Sequence, residues 1–177
     1  VNSTTGLKYV VGHSVREYFM NRYAGVNPAN GDALWYTADG ELTTEFREED
    51  KVMTGKSFDS PWVGGFGTSL MWKGLSLSAQ FSWMAKRYVM NNDRFFEESN
   101  GLYSAYNQSK RLLYDRWKKP GDITDIPRYG VTAQLDDRFL ENSSFLRLKN
   151  LTLAYAFPQS LLKKTNFFTS ARVYLQG

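Results

Sequence analysis

The chain has 177 residues, of which twelve Phe, eleven Tyr and five Trp make 16% aromatic; it has no cysteine, and 22 Lys and Arg against 18 Asp and Glu leave a net charge of +4. These counts exclude a disulfide framework, a thiolate metal centre and a cysteine nucleophile, and the single histidine, His13, excludes a multi-histidine metal site. The basic residues are scattered rather than striped, a poor footprint for nucleic acid, and no run of about eighteen apolar residues exists to cross a bilayer as a helix.

In chain order, Val1 to Gly12 lack a charged segment followed by an apolar one, so no signal peptide is expected there. Without an initiator Met, the chain reads as a piece of a longer protein whose targeting signals lie upstream. Val15 to Val26 reads as a strand with poorly sorted faces. From Asn27 to Pro61, turn signals at Asn30-Gly31 and Asp39-Gly40 and the acidic run Glu48-Glu49-Asp50 mark a long, irregular connection.

Val63 to Met84 carries the clearest pattern. Phe66, Thr68, Leu70 and Trp72 alternate with Gly67, Ser69, Met71 and Lys73; then Leu75, Leu77, Ala79, Phe81 and Trp83 alternate with Ser76, Ser78, Gln80 and Ser82. A two-residue hairpin loop at Lys73-Gly74, the glycine supplying a positive φ, would set Trp72 opposite Leu75, Leu70 opposite Leu77, Thr68 opposite Ala79 and Phe66 opposite Phe81. All four pairs then share the apolar face, and a one-residue slip would destroy that sorting. Lys73 is an unusual first turn residue, where Asn or Asp is commoner. Such a face can be buried against a second sheet, as in a soluble sandwich, or turned to lipid, with small polar residues lining a barrel interior. Strands of about ten residues with aromatics near both ends suit a tilted membrane strand, but periodicity alone leaves both readings open.

Between Met84 and Phe145 no alternating strand is visible. Ser99-Asn100-Gly101 is expected to cap a loop helix bearing Leu102, Tyr106, Leu113 and Trp117 on one stripe and ending at Pro120-Gly121. Asp122, Asp125, Pro127, Asp136, Asp137 and Asn142 then mark solvated chain. Strands follow at 151–157 and 169–176. Leu146 and Leu148 are out of phase with Leu151, which calls for a bulge or for a strand extending beyond a bilayer. Laid out as an antiparallel meander, the connections run long (27–61), short (73–74), long (85–143) and short (158–167), with both long ones on one side. Outer-membrane barrels have this asymmetry and sandwiches do not need it, so the membrane reading is preferred.

Five strings resemble one family, the SusC/RagA-type TonB-linked outer-membrane transporters of Bacteroidetes. Tyr23-Ala24-Gly25-Val26-Asn27-Pro28-Ala29-Asn30-Gly31-Asp32 is similar to its "AGVDPxTGxP" segment. Gly55, Pro61 and Gly64-Gly65-Phe66-Gly67 are similar to "GxxxPxxxGGFG", with different spacing before the proline, and Trp72-Lys73-Gly74-Leu75 to "YKGF". Trp117 to Arg128 resembles "WxxPGDxTDxPR", and Ser143 to Leu151 resembles "SSYLRLKNLTLGY". The resemblance covers nearly the whole chain and only the C-terminal part of the family's barrel.

The expected fold is therefore all-β: residues 1–177 form a partial C-terminal segment of a 22-stranded antiparallel transmembrane β-barrel, with extracellular loops at approximately 27–61 and 85–143 and one loop helix. The resemblance implies TonB-dependent import of oligosaccharides or peptides across the cell outer membrane, with a SusD-like surface lipoprotein as lid and TonB engaged through a part of the protein outside this chain. Leu70, Leu77, Phe81 and Leu153 would face lipid, and Ser76, Ser78 and Gln80 the lumen. A secreted β-sandwich carbohydrate-binding module, using the same aromatics on a soluble sheet, is the alternative.

No chemistry beyond binding is expected, nor any cofactor. Gly55-Lys56-Ser57 lacks the earlier glycine of a phosphate loop, because Asp50 holds that place. His13 has no accompanying nucleophile, the acidic clusters do not match a twelve-residue calcium loop, and no carboxylate pair occupies a recognisable glycosidase setting. Among the loop aromatics, Tyr106 and Trp117 lie on the helix stripe and are expected to pack. Trp35, Tyr36, Trp62 and Tyr103 are the candidates to contact substrate or lid, since sugars and peptides both stack on such rings.

Overall fold

A computed structural model describes residues 8–164 and 167–177. The signal-peptide reading of Val1 to Gly12 lies partly outside these residues, as does the short connection at 158–167. The elements in chain order are β1 (Glu17–Met20), β2 (Arg22–Val26), β3 (Ala33–Tyr36), β4 (Leu42–Thr43), β5 (Val52–Ser57), β6 (Trp62–Trp72), β7 (Leu75–Ala85), β8 (Tyr88–Met90), α1 (Asn92–Glu97), α2 (Arg111–Tyr114), β9 (Leu140–Asn142), β10 (Phe145–Ala156), α3 (Gln159–Leu162) and β11 (Arg172–Gln176), with single 3₁₀ turns at Glu48–Asp50 and Asp137–Phe139. They divide into two compact units. One holds the residues up to Asp59 and Lys86–Ser143; the other holds Ser60–Ala85 and Ser144–Gly177.

The second unit is a four-stranded antiparallel sheet in the order β11-β10-β7-β6. Its β6–β7 hairpin has the register that the alternation demands: Trp72 faces Leu75, Leu70 faces Leu77, Thr68 faces Ala79 and Phe66 faces Phe81, and the ladder continues to Trp62 opposite Ala85. Lys73 and Gly74 both take positive φ, 47° and 88°. Two positive values make the mirror-image turn whose twist matches the flanking strands, and the lysine accepts the strain that Asn would have avoided. Gly74 is required for a second reason, because a Cβ there would lie 2.6 Å from the carbonyl oxygen of Ala156.

The phase break before Leu151 is a β-bulge. Pairing of β10 with β7 slips between Leu148 and Asn150, leaving Lys149 as the extra residue. The bulge sets Leu146 opposite Trp83 and Leu148 opposite Phe81, while Leu151 and Leu153 stay opposite Ala79 and Leu77. One continuous apolar face results, extended by Leu175 and Val173 of β11 opposite Leu153 and Tyr155. The other face carries Ser69, Ser76, Ser78, Gln80, Thr152 and Gln176. Among the described residues of this unit no second sheet covers the apolar face, and Leu70, Leu146 and Leu175 are 60%, 65% and 74% exposed. A sandwich requires that missing layer. Two aromatic contacts stiffen the face: Phe66 stacks on Phe81 with centroids 4.9 Å apart, and Trp83 covers Gly64, where a Cβ would lie 2.8 Å from its indole nitrogen.

The strand ends sort as the asymmetry requires. Trp62, Ala85 and Phe145 share one end of the sheet, and Trp72, Leu75 and Tyr155 share the other, beside the Lys73-Gly74 turn. The segment joining β7 to β10 therefore leaves from the end opposite the tight turn. No helix among the described residues is long and apolar enough to cross a membrane.

The first unit has short ladders, β1 with β5, β2 with β3 and β4, and β8 with β9, and a small core of Tyr18, Met20 and Leu140 flanked by Phe58, Tyr88, Met90 and Leu135. The single strand expected over Val15 to Val26 is two strands. Asn21, fully buried, interrupts it by donating its amide to the carbonyl of Arg47 at 2.7 Å and accepting the N–H of Asp137 at its backbone oxygen. β1 and β2 then enter different sheets, which is why no one face could sort.

The single loop helix expected from Ser99 onward is also corrected. Asn100 takes φ 54° and Gly101 φ 108°, left-handed values that a helix does not tolerate. The chain instead forms two short helices: α1, capped by the Asn91 side chain on the N–H of Arg94, and the single turn α2.

Candidate functional site

The first unit is organised around two of the sequence strings. In the first, Asn27 folds a turn on itself: its backbone N–H donates to Asp32, its side-chain oxygen accepts the N–H of Ala29, and its carbonyl accepts that of Gly31. In the second, the Asp122 carboxylate accepts the N–H groups of Lys118 and Lys119, both at 3.0 Å, and these bonds hold it below the usual carboxylate range.

The two strings lock onto each other. Trp117 Nε1 and the Gly121 N–H both donate to the carbonyl of Pro28, at 3.2 and 2.8 Å. The Arg128 N–H donates to the carbonyl of Gly31, and Arg128 Nε to Asp32 Oδ1 at 2.9 Å. The Trp117 indole lies against Gly31, so close that a Cβ at that position would be 2.5 Å from the ring. The packing role expected of Trp117 is thus met without the helix stripe.

A charge ladder ties this joint to the rest of the unit. Arg111 Nη1 donates to both oxygens of Glu98 at 2.7 and 2.9 Å, and Nη2 to both oxygens of Asp125 at 2.7 and 2.8 Å. Arg94 adds a bond to Glu98 at 3.1 Å. Burial works to raise the Asp125 carboxyl, but its hydrogen bond to Arg111 and the charges of Arg111 and Arg94 outweigh that and hold it below the ordinary range. Asp136, fully buried, is shifted the other way by burial, against Arg138 and the Trp35 indole N–H at 2.8 Å. Burial also raises the Tyr23 phenol, opposed by Arg138, whose guanidinium lies 3.9 Å from the ring centroid.

A carboxyl depressed in the fold stabilises it above the unfolded pKa of about 3.9 and loses that contribution as pH falls through the folded value. Protease protection of residues 98–128 is accordingly expected to persist from pH 7 down to about pH 4 and to fall away on further acidification. Limited proteolysis across a pH series, with an acid-stable protease, checks this.

Of the four aromatics singled out from sequence, three belong to the first unit and Trp62 to the second. Trp35 is 4% exposed, bonded to Asp136 and edge-on to Tyr23 and Phe46. Tyr36, next to it in β3, is half-buried under the Arg22 guanidinium. Tyr103 belongs to a separate cluster with Phe95, Phe96 and Tyr106. Trp62 opens β6 in the other unit and is 59% exposed. Tyr106, expected to pack, touches Phe96 and Tyr103 but is 64% exposed.

Sequence reasoning missed the groups around Asn100. This side chain, 2% exposed, donates to the carbonyls of Arg128 and Val131, both at 2.7 Å. Beside it opens a cleft of about 430 Å³, lined by Asn100, Gln108, Lys110, Leu113, Arg116 and Tyr129 among others. Only the Ser-Asn-Gly punctuation hinted at it. Among the described residues no group of three or more His, Asp or Glu could hold a metal ion, so what the unit offers a ligand is polar and aromatic surface.

Comparison with known proteins adds a lineage. No family model matches the chain. Two TonB-dependent receptors of Formosa agariphila are 29% identical over 140 residues and 28% identical over 146 residues, each match covering 78% of this chain. The chain spans only 13% and 14% of their lengths. Among solved structures, the RagAB peptide importer in its closed-closed state is 38% identical with a TM-score of 0.85, over 99% of this chain and 20% of that one. The open-open state gives 37% identity and a TM-score of 0.83.

Proposed function

We propose that this chain, which is homologous to the SusC/RagA-type TonB-dependent receptors, forms part of the wall and extracellular loops of an outer-membrane barrel that imports nutrients. The observation that carries the proposal is the sheet of the second unit: strands of 11 and 12 residues, one face mainly apolar with Phe66, Leu70, Trp72, Leu146 and Leu175 exposed, the other mainly small and polar apart from Met71, Tyr174 and Arg172. That is the pattern of a barrel wall between lipid and lumen. Four strands cannot close such a barrel, so the remaining strands, of a 22-stranded total, come from the rest of the protein.

Residues 27–61 and 85–143 are assigned to extracellular loops, because both long connections leave from the end of the sheet opposite the tight turn. The proposed cargo is oligosaccharide or peptide, and the likeness to a peptide importer favours peptide. TonB would drive import from the periplasmic side, and a SusD-like lipoprotein would close over the loops. Of the candidate contacts, Trp62, Tyr103 and Tyr36 retain accessible ring surface, while the Trp35 ring is enclosed by Asp136, Tyr23 and Phe46. The relatives are receptors and an importer, and the role proposed is transport rather than catalysis.

Labelled peptide and oligosaccharide mixtures offered to cells producing the full-length receptor test this. Uptake of one class is expected, lost when TonB is deleted, with the receptor recovered from outer membranes only in detergent. Recovery of the full-length protein as a detergent-free monomer, or uptake indifferent to TonB, would overturn the proposal.

A further inference from the structure

The cleft beside Asn100 has a chemistry of its own. Four arginines fall between positions 94 and 128, and three of them are engaged by carboxylates: Arg94 by Glu98 at 3.1 Å, Arg111 by Glu98 and Asp125 at 2.7 Å, and Arg128 by Asp32 at 2.9 Å. Arg116 is the exception. Its Nη1 donates to the Asn100 side-chain oxygen at 3.3 Å, and its guanidinium lies 5.2 Å from the centroid of the Tyr129 ring. Among the described residues it forms no ion pair, and neither does Lys110 on the same wall. No Asp or Glu lines this cleft.

Arg116 is also held in place. Asn100 is buried and its amide is fixed by the carbonyls of Arg128 and Val131, so its oxygen is committed to the guanidinium. The Arg116 backbone bridges to Ile126, itself 3% exposed. A guanidinium has five N–H donors; one is used here, and although Asp115, Asp122 and Asp125 line the adjoining hollow on its other side, none of them pairs with Arg116. A fixed, unpaired guanidinium beside an ammonium, with the exposed ring of Tyr129 and the exposed Leu113 adjoining, suits a ligand that carries a carboxylate next to an apolar or ring-shaped body.

We infer that this cleft is an anion-recognising subsite for a carboxylate-bearing ligand, held by Arg116 with Lys110 in support. The inference rests on the import reading for its biological setting but not for its test. The carboxylate has two possible sources, an acidic peptide or a uronic-acid oligosaccharide, and the probes separate them. Calorimetry with the full-length receptor in detergent compares a glutamate-rich hexapeptide with its glutamine counterpart, and an oligogalacturonate with its methyl ester.

One acidic probe is expected to bind about tenfold or more tightly than its neutral partner. Arg116→Gln should remove that preference, Arg116→Lys should keep part of it, and added salt should weaken it. Equal binding of acidic and neutral probes in both pairs would overturn the inference, as would an Arg116→Gln receptor that keeps the preference. Lys110→Gln guards against a folding artefact, because the Lys110 side chain makes no ion pair in the fold; a loss of about threefold is expected there, and no loss counts against the subsite. Binding is read without TonB, so a failure of acid preference leaves the import reading standing, and a failure of uptake leaves the subsite standing.

Discussion

Replacing Gly31 with alanine is expected to cost the loop unit about 3 kcal/mol, and replacing Gly40 only about 1 kcal/mol. Both glycines have positive φ, 79° and 94°, so both substitutions carry the penalty of a left-handed alanine. Their surroundings differ. A Cβ at Gly40 meets nothing within 4 Å, whereas one at Gly31 would lie 2.5 Å from the Trp117 ring and 2.8 Å from Arg128 Cβ. The indole cannot simply swing aside, because its nitrogen is bonded to the carbonyl of Pro28, and Arg128 is pinned through its backbone to Gly31 and through its side chain to Asp32. Relief of the clash would open the joint between the two strings. Protease susceptibility of residues 117–128 in outer-membrane preparations should rise strongly in Gly31→Ala and little in Gly40→Ala. Equal responses would mean that backbone strain alone sets the need for glycine, and that the interlock contributes nothing.

That joint makes the two strings one structural unit, although neither is legible from the other in the sequence. Sequence shows Asn-Pro-Ala-Asn-Gly-Asp as a turn, but takes Pro120-Gly121 for the stop of a helix that in the structure ends at Tyr114. It does not show that Trp117 needs the space left by Gly31, or that Arg111 joins Glu98 to Asp125, because those partners are chosen by tertiary placement rather than by spacing.

The sheet was legible for the opposite reason. In β6 and β7 the alternate positions are apolar apart from Thr68, so only one register keeps the faces separate, and a two-residue turn fixes that register locally. The β10 bulge is legible in sequence as a phase error, and its position at Lys149, unpaired with β7, is set by the ladder. The stripe of Leu102, Tyr106, Leu113 and Trp117 favours a helix in sequence, but the chain enters it through Asn100 and Gly101 at positive φ, which a helix does not tolerate. At Asn100 the side chain offsets the cost of that conformation by satisfying the backbone of Arg128 and Val131. The aromatics singled out from sequence illustrate the same limit: Trp35 and Tyr36 are neighbours in β3, yet one ring is enclosed by Asp136, Tyr23 and Phe46 while the other stays half-open.

The face assignment itself is open to a direct test with two adjacent residues of β7. Leu77 lies between Leu70 and Leu153 on the apolar face; Ser78 lies between Ser69 and Thr152 on the other. If the apolar face meets hydrocarbon, Leu77→Arg must move a guanidinium into lipid, at a cost of about 2 kcal/mol for a position between the interface and the midplane. Ser78→Arg would instead extend into a watery lumen beside small polar neighbours and should cost within about 1 kcal/mol. The readout is the amount of folded, protease-resistant receptor in outer membranes, together with its urea midpoint. The two substitutions place the same charge in the same strand, so net charge cancels in the comparison. Ser78→Arg adds the larger volume, which works against the expected difference, so a greater cost at Leu77 reports the medium on that face. Equal tolerance at Leu77 and Ser78 would mean that both faces meet the same medium, and the barrel-wall reading of this sheet would fall with it.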